Sequence, residues 1–252
     1  MREYKYVSAD SHLEVSPDHW RSYVAPEFQR WCPSVVKLNG GGDAWQVAGK
    51  RSLVPLGLNY SAGIGWEHLK ISGISYAQNP AGAGDGVQRL QEIEKDGLDA
   101  EVLYPAVWLQ RSMDSAVFPS EARVAIARGY NDWLSRDFTA VDPDRLLGAA
   151  ILPSSTAQDA ADELRRVSVM PGIRTAVLHT WPSGALTPDL ESDSVFWRAA
   201  VETGVPLSVH VQFGGGRAAD VPPEGPVHIP QVQKLLTMRL DPVPILDTAS
   251  LS

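Results

Sequence analysis

The sequence places a carboxylate and an imidazole in alternate positions where its first predicted strand ends. Residues 4–10 form a short β-rich run, and Asp10, His12 and Glu14 follow one another at a spacing of two. Because successive side chains of a strand point to opposite faces, Asp10, His12 and, as an open case, Glu14 share one side. A carboxylate oxygen and an imidazole nitrogen placed in this way can both bind one divalent ion at about 2.0–2.2 Å. We therefore predict that Asp10 and His12 are metal ligands.

A further histidine, His210, lies in the apolar run PLSVHVQ near the end of the last predicted strand. Catalytic groups of (β/α) barrels come from the C-terminal ends of different strands, which favours one site built from Asp10, His12 and His210. His210 is then both a metal ligand and a catalytic residue. Two alternatives stay open: Asp-Ser-His could form a local turn or helix cap, and His210 could be a hydrogen-bonded core residue.

Other candidate site residues follow predicted strands. His179 ends a strand in VLHTWPSG, where it could contact substrate as a catalytic residue or only bond to loop backbone, and we favour the substrate. Trp66, Trp108 and Trp181 lie in predicted loops and could line an aromatic substrate pocket. Ordinary packing is the commoner role of any single tryptophan.

Five strand–helix units must position these residues. Predicted strands lie near residues 4–10, 99–105, 146–152, 173–180 and 206–212, and predicted helices follow Ser16 and Asp85 and cover residues 119–140, 157–167 and 194–203. Strands that are apolar on both faces and alternate with helices indicate a parallel sheet covered by helices. A closed TIM-type barrel needs eight units. The expected fold is therefore α/β, an incomplete (β/α) barrel of about five units in a single domain, residues 1–252, with a small β-hairpin insertion at about 34–56.

Composition excludes several classes of partner. The formal net charge is -8, and no run of basic residues occurs, so nucleic acid is not expected as a partner. Apolar stretches are far shorter than the roughly 20 residues that span a bilayer, and the N-terminus has no secretory signal pattern, so no membrane association is expected. Cys32 is the only cysteine, which is typical of a reducing cytoplasm.

Four segments together resemble a known family. They are VSADSHLEVSPDHW, RLQEIEKDGLDAEVLYP, RLLGAAILP and VPLSVHVQFGG, and they occur in the order and approximate spacing of the amidohydrolase-related (amidohydrolase 2) family. This resemblance extends to about Leu246. The family includes metal-dependent decarboxylases of aromatic acids. Asp10-Ser11-His12 is similar to the acidic form of the first-strand motif in resorcylate-type decarboxylases, and His210 is similar to the ligand on the fifth strand.

The resemblance implies a metal-dependent hydrolase or decarboxylase that acts on a small carboxylated or cyclic molecule, and the tryptophans in the predicted loops favour an aromatic one. It implies a divalent cofactor, with Zn²⁺ as the first expectation and Mn²⁺ as the second, and a homodimer as the expected assembly. Members of the family complete the site with a histidine on a sixth strand and an aspartate on an eighth, and neither strand is recognisable after Gly216. We therefore expect a C-terminally truncated chain. The alternatives are a catalytically inactive barrel fragment or partner subunit, and a metal-independent barrel lyase.

Overall fold

Within the part of the chain that the structure describes there are two β-sheets, one parallel and one antiparallel. A computed structural model describes residues 3–46, 53–57, 60, 64–70, 72–78, 82–106, 109, 113, 118–185 and 189–210. In chain order the strands are β1 (Val7–Leu13), β2 (Ser34–Lys37), β3 (Asp43–Gln46), β4 (Leu53–Pro55), β5 (Ala100–Pro105), β6 (Leu146–Ile151), β7 (Ile173–Leu178) and β8 (Leu207–Val209). The α-helices are α1 (Gly86–Lys95), α2 (Ser120–Trp133), α3 (Ala157–Val167) and α4 (Ser194–Thr203).

The parallel sheet has the strand order β1-β5-β6-β7-β8. Every neighbouring pair is parallel, and each connection between consecutive strands of this sheet carries one of the α-helices named above. The order never reverses, unlike that of a doubly wound sheet, which has a switch point where its strand order turns back. A sequential parallel order with a helix after each strand is the arrangement of a (β/α) barrel. The predicted fold class and the count of five units are confirmed.

The parallel sheet must be strongly curled, because its two edge strands approach each other. Neighbouring strands lie about 4.8 Å apart, so β1 and β8 would be separated by roughly 19 Å across four spacings of a flat sheet. In the structure Oδ1 of Asp10, on β1, lies 3.0 Å from Nε2 of His210, which follows β8. The sheet therefore forms an arc of a barrel, and its inner face carries this contact.

Apolar side chains cover the two faces of the sheet unequally. A large core packs between the sheet and its helices, and it includes Leu103, Ile126 and Leu164. The inner face holds a small separate cluster, formed by Tyr104, Ala149 and Val177 with Val102 packed against it. None of the described helices is long and apolar enough to cross a lipid bilayer.

Local sequence explains where the helices begin and end. The side chain of Asp85 accepts a hydrogen bond from the amide of Gln88 at the start of α1, and Thr156 does the same for Asp159 at the start of α3. These caps satisfy amides that have no partner within the helix. Gly204 ends α4 in the left-handed region, with φ 64°, which a residue without Cβ adopts at little cost.

The insertion between β1 and α1 is a three-stranded antiparallel sheet. The predicted hairpin is present as β2 and β3, and β4 adds a third strand beside β3. Gly42 lies in the hairpin turn with φ 87°, and a Cβ there would lie 2.7 Å from the backbone of Gly73. The helix expected after Ser16 is instead a series of three short 3-10 helices, Pro17–His19, Arg21–Tyr23 and Pro26–Trp31. Pro26 lacks an amide hydrogen, which prevents a continuous α-helix.

A buried polar network ties α2 and α3 to the end of β6. Asn131, fully buried on α2, donates to the carbonyl of Ile151 at 2.9 Å and accepts from the amide of the same residue at 2.8 Å. It also donates to Oε1 of Glu163 on α3 at 2.7 Å. Glu163 is fully buried and ion-paired with Arg166 and Arg128.

Replacement of Asn131 by alanine is expected to destabilise the protein strongly. Asn131→Ala removes three hydrogen bonds and leaves buried groups without partners, which should lower the free energy of unfolding by about 3–5 kcal/mol. Urea denaturation followed by circular dichroism measures this loss. Gln158→Ala, on the exposed side of α3, is the control and should change stability by less than about 0.5 kcal/mol. Equal losses in the two variants would contradict the assigned role of Asn131.

Candidate metal centre

Three predicted ligands converge at one point on the inner face of the sheet. Oδ1 of Asp10 lies 3.0 Å from Nε2 of His210 and 3.3 Å from Nε2 of His12. One ligand atom from each of the three residues lies within 4.8 Å of the others. With bonds of about 2.1 Å, the ligand atoms of a tetrahedral site are roughly 3.4 Å apart. The spacing of the three donors is therefore close to that of a metal site, and their role as ligands stays a prediction.

The backbone of a neighbouring strand orients the ring of His12. Nδ1 of His12 lies 3.2 Å from the carbonyl oxygen of Pro105, the last residue of β5. A carbonyl oxygen can only accept, so Nδ1 carries the hydrogen and Nε2 of the neutral ring presents a lone pair. Metal-binding histidines in proteins are commonly held in this way, with the second ring nitrogen bonded to backbone or carboxylate.

The electrostatics of the three side chains fit a cation. The lone pair of His12 Nε2 faces the carboxylate oxygen of Asp10 at 3.3 Å, and two acceptors in such a position repel each other. Burial, and next the neighbouring ring of His210, lower the pKa of His12, so a proton on Nε2 is disfavoured. A divalent ion between the donors would relieve the repulsion and would bind the neutral form of the imidazole. One carboxylate and two imidazoles are ligands that suit Zn²⁺ and Mn²⁺.

The ring of Tyr104 lies beside the rings of His12 and His210. Its ring is stacked on that of His210, with centroids 4.5 Å apart and an interplanar angle of 24°. The ring of His12 is 6.0 Å away. The amide of His210 lies 3.4 Å from the carbonyl oxygen of Leu178, which connects it to the end of β7. Sequence reasoning missed Tyr104, although its place in LDAEVLYP, one residue before the strand end, was a usable indication.

Glu14 lies outside the group of three. It directly follows β1, and it is buried, with only 9% of its surface exposed. Burial raises the pKa of its carboxyl to about 8. Glu14 is not among the described residues whose donor atoms could share one ion. Its carboxyl is therefore protonated and neutral across most of the neutral range in the metal-free protein.

Of the other predicted site residues, the structure describes the side chains of His179 and Trp181. His179 and Trp181 are partly buried and follow β7, whose last residue contacts His210. They line a cavity of only about 10 Å³, together with Ser154 and Leu152. A cavity of that size holds about one water molecule and no aromatic acid. The side chain of Trp66, which begins a short 3-10 helix, and the whole of Trp108 lie outside the described residues.

Comparison of the chain with models of known protein families shows the family to which it belongs. The family model described as Amidohydrolase matches residues 10–236, which include all three candidate ligands. The chain belongs to this amidohydrolase family. The prediction from sequence resemblance is confirmed.

Solved structures of similar fold include an amidohydrolase and a decarboxylase. An amidohydrolase from Mycobacterium avium subsp. paratuberculosis superposes with a TM-score of 0.57 at 17% identity, over 83% of this chain and 59% of that one. The 5-carboxyvanillate decarboxylase of Novosphingobium aromaticivorans, complexed with manganese and 4-hydroxy-3-methoxy-5-nitrobenzoic acid, gives a TM-score of 0.50 at 17% identity, over 82% of this chain and 50% of that one. The chain thus spans about half to three-fifths of the length of these proteins.

The buried carboxyl of Glu14 predicts a specific dependence of stability on pH. The unfolded carboxyl loses its proton near 4.5, whereas the folded one keeps it up to about 8. The folded state therefore binds more protons in this window, and stability falls as pH rises through it. Glu14→Gln should remove this loss, so the metal-free variant should gain about 3–5 kcal/mol relative to wild type between pH 5 and pH 8.

Urea denaturation of the metal-free proteins at both pH values measures the difference. Glu27→Gln, at an exposed position, is the control and should follow the wild-type curve. If Glu14→Gln and wild type lose the same stability between the two pH values, the buried carboxyl does not titrate as described.

Proposed function

We propose that this chain carries the metal site of a metal-dependent decarboxylase that acts on a small aromatic carboxylate. The observation that carries the proposal is the convergence of one carboxylate and two imidazoles at the C-terminal ends of two strands. In barrels of this kind the reaction takes place at that end of the sheet. The acidic residue at the first ligand position, which resembles the resorcylate-type decarboxylases, favours loss of CO₂ over hydrolysis.

Asp10, His12 and His210 would hold the divalent ion, as Mn²⁺ or Zn²⁺. A bound ion of this kind acts as a Lewis acid toward the oxygens of a carboxylate or a phenol. The chain itself supplies the orientation of the donors. Pro105 holds the ring of His12, and Tyr104 supports the ring of His210.

Aromatic substrates are favoured by what surrounds the donors. The ring of Tyr104 belongs to the small apolar cluster on the inner face and stands directly beside His12 and His210. An aromatic ring can pack on such a surface while its carboxylate reaches the cation. The decarboxylase of similar fold, which binds manganese and a substituted benzoic acid, is consistent with this choice.

Decarboxylation also requires a proton. The bond between the ring carbon and the carboxylate carbon breaks, CO₂ leaves, and the ring carbon takes a proton in its place. Among the described residues, His179 is our candidate to contact the substrate, because it follows β7 and that strand's last residue, Leu178, contacts the amide of His210. A histidine can donate a proton near neutral pH.

One observation favours a second candidate function. The chain spans 59% of the length of the amidohydrolase and 50% of the length of the decarboxylase that it resembles in fold. A site that needs groups from further strands would bind metal without turning over substrate. The chain would then be an inactive partner subunit or a part of a longer enzyme.

Metal binding is the first test of the proposed function. The purified chain is expected to bind about one equivalent of Mn²⁺ or Zn²⁺, because three suitable donors are already in place. Asp10→Asn and His210→Ala should each weaken binding by at least about 100-fold, since each removes one of only three described donors. Isothermal titration calorimetry and elemental analysis measure affinity and stoichiometry.

His68→Ala is the matched control for the metal experiment. His68 is exposed on a short 3-10 helix beside Glu67, outside the group of three donors. Its replacement should leave the metal affinity unchanged. If it weakens binding as much as His210→Ala does, the ion binds at surface histidines and the proposed centre is wrong.

Release of CO₂ is the second test. The Mn²⁺-loaded chain, incubated with hydroxybenzoates that carry a carboxylate next to the hydroxyl, should release CO₂ and the corresponding phenol. Chelation should abolish the reaction and added Mn²⁺ should restore it. His179→Asn should lower kcat by about 100-fold or more, because general acid–base catalysis contributes about 10²–10⁴-fold.

The outcomes separate the candidate functions. Activity that survives chelation would contradict metal dependence. Hydrolysis of a cyclic amide without release of CO₂ would replace decarboxylation by hydrolysis at the same centre. Stoichiometric metal binding without turnover would support the partner-subunit alternative.

A further inference from the structure

The first strand departs from a regular ladder at the residue that supplies the carboxylate. Ser8 pairs with Glu101 and Ser11 pairs with Leu103, so β1 advances by three residues while β5 advances by two. The additional residue makes a β-bulge between Ser8 and Ser11, and Asp10 lies within it. Bulges next to active sites re-aim side chains. The direction of the Asp10 carboxylate therefore depends on how the bulge is held.

A chain of hydrogen bonds on the outer face of the sheet connects the two ends of this bulge and attaches them to β5 and α1. Oε1 of Glu101 lies 3.1 Å from Oγ of Ser11, and Oγ of Ser11 lies 2.7 Å from Oγ of Ser8. A carboxylate only accepts, so Ser11 donates to Glu101 and Ser8 donates to Ser11. On its other oxygen Glu101 accepts from Nε of Arg89, on α1, at 2.6 Å. The bulge is thereby connected through one buried carboxylate to a helix.

Little else among the described contacts holds Asp10. Its side chain is 68% exposed and contacts only the two histidines with which it would share the ion. Ser11, the next residue, is 9% exposed and faces the opposite side, toward Glu101. Whatever fixes the backbone at Ser11 also fixes its two neighbours, Asp10 and His12.

Stability alone does not explain the buried pair of Glu101 and Arg89. Their side chains are 5% and 14% exposed, so both charges are largely removed from water. The cost of this desolvation cancels much of the attraction between such charges, and apolar residues often serve stability as well. In some proteins buried polar pairs instead specify local geometry.

We propose that Ser11, Glu101 and Arg89 are positioning residues for the metal centre: from the outer face of the sheet they hold the bulge that aims Asp10 at the two imidazoles. This inference rests on the proposed metal centre. It assigns a function to three residues that contact neither the metal nor the substrate.

Removal of one hydroxyl tests the inference. Ser11→Ala cuts the connection between the bulge and Glu101, and it should weaken Mn²⁺ binding by about 10- to 100-fold, the usual effect of losing a partner behind a metal ligand. Ser11→Thr keeps the hydroxyl and should retain wild-type affinity. Glu101→Gln should fall between them, because it keeps an acceptor and loses the charge. Calorimetric titration of the full chain with Mn²⁺ measures all three.

Glu163→Gln separates positioning from a general loss of stability. Glu163 is also a fully buried carboxylate bonded to arginine, but it lies on α3, in the network of Asn131. Its replacement should lower the free energy of unfolding and leave the Mn²⁺ affinity within about twofold of wild type. Equal weakening of Mn²⁺ binding in Glu163→Gln and Ser11→Ala would overturn the inference.

A measurement on the metal-free protein distinguishes failure of this inference from failure of the metal centre. The ¹⁵N resonance of His210 Nε2 reports its contact with Asp10 at 3.0 Å. It should shift in Ser11→Ala and Glu101→Gln and stay unchanged in Ser11→Thr and Glu163→Gln. Wild type that binds no Mn²⁺ would contradict the metal centre, and the resonance would still decide whether the bulge aims Asp10. An unchanged resonance in Ser11→Ala and Glu101→Gln would overturn the positioning role.

Discussion

The contact between the two edge strands of the parallel sheet is the constraint on which the rest of the structure depends. Asp10 on β1 and His210 after β8 lie at opposite edges of a five-stranded sheet, yet their side chains are 3.0 Å apart. Only a strongly curled sheet permits this. The curl places the helices and the main core outside, and it leaves the inner face to a few small or aromatic side chains and to the three candidate ligands.

The outer face of the sheet carries the buried polar contacts that stabilise the fold, and the inner face carries the candidate metal centre. On the outer face buried ion pairs and amides, such as Glu101 with Arg89 and Asn131 with Glu163, connect helices to strand ends. On the inner face the carboxylate of Asp10 lies beside the rings of His12 and His210, and the lone pair of His12 Nε2 that faces it would be stabilised by a cation. Hydrogen bonds on the outer face hold the backbone of β1, which carries two of the three candidate ligands.

The fold class and the three candidate ligands could be predicted from the sequence, because both depend on the periodicity of apolar residues along the chain. Alternating apolar strands and helices indicated the parallel barrel, and strand ends marked Asp10, His12 and His210. The bulge at Asp10, the carbonyl of Pro105 behind His12 and the stacking of Tyr104 on His210 could not be read in this way. They depend on which strands become neighbours and in what register. Substrate contact by Trp66, Trp108 and Trp181 remains a prediction, since local sequence patterns do not show which loops lie next to one another.

The most direct test of the proposed metal centre is the position of the ion itself. A crystal of the protein soaked in Mn²⁺ gives an anomalous scattering peak that locates the ion without reference to any assumed ligand. We predict one strong peak about 2.2 Å from the carboxylate of Asp10 and from Nε2 of both His12 and His210. A peak elsewhere, or a structure in which β1 and β8 hold these side chains apart, would contradict the account.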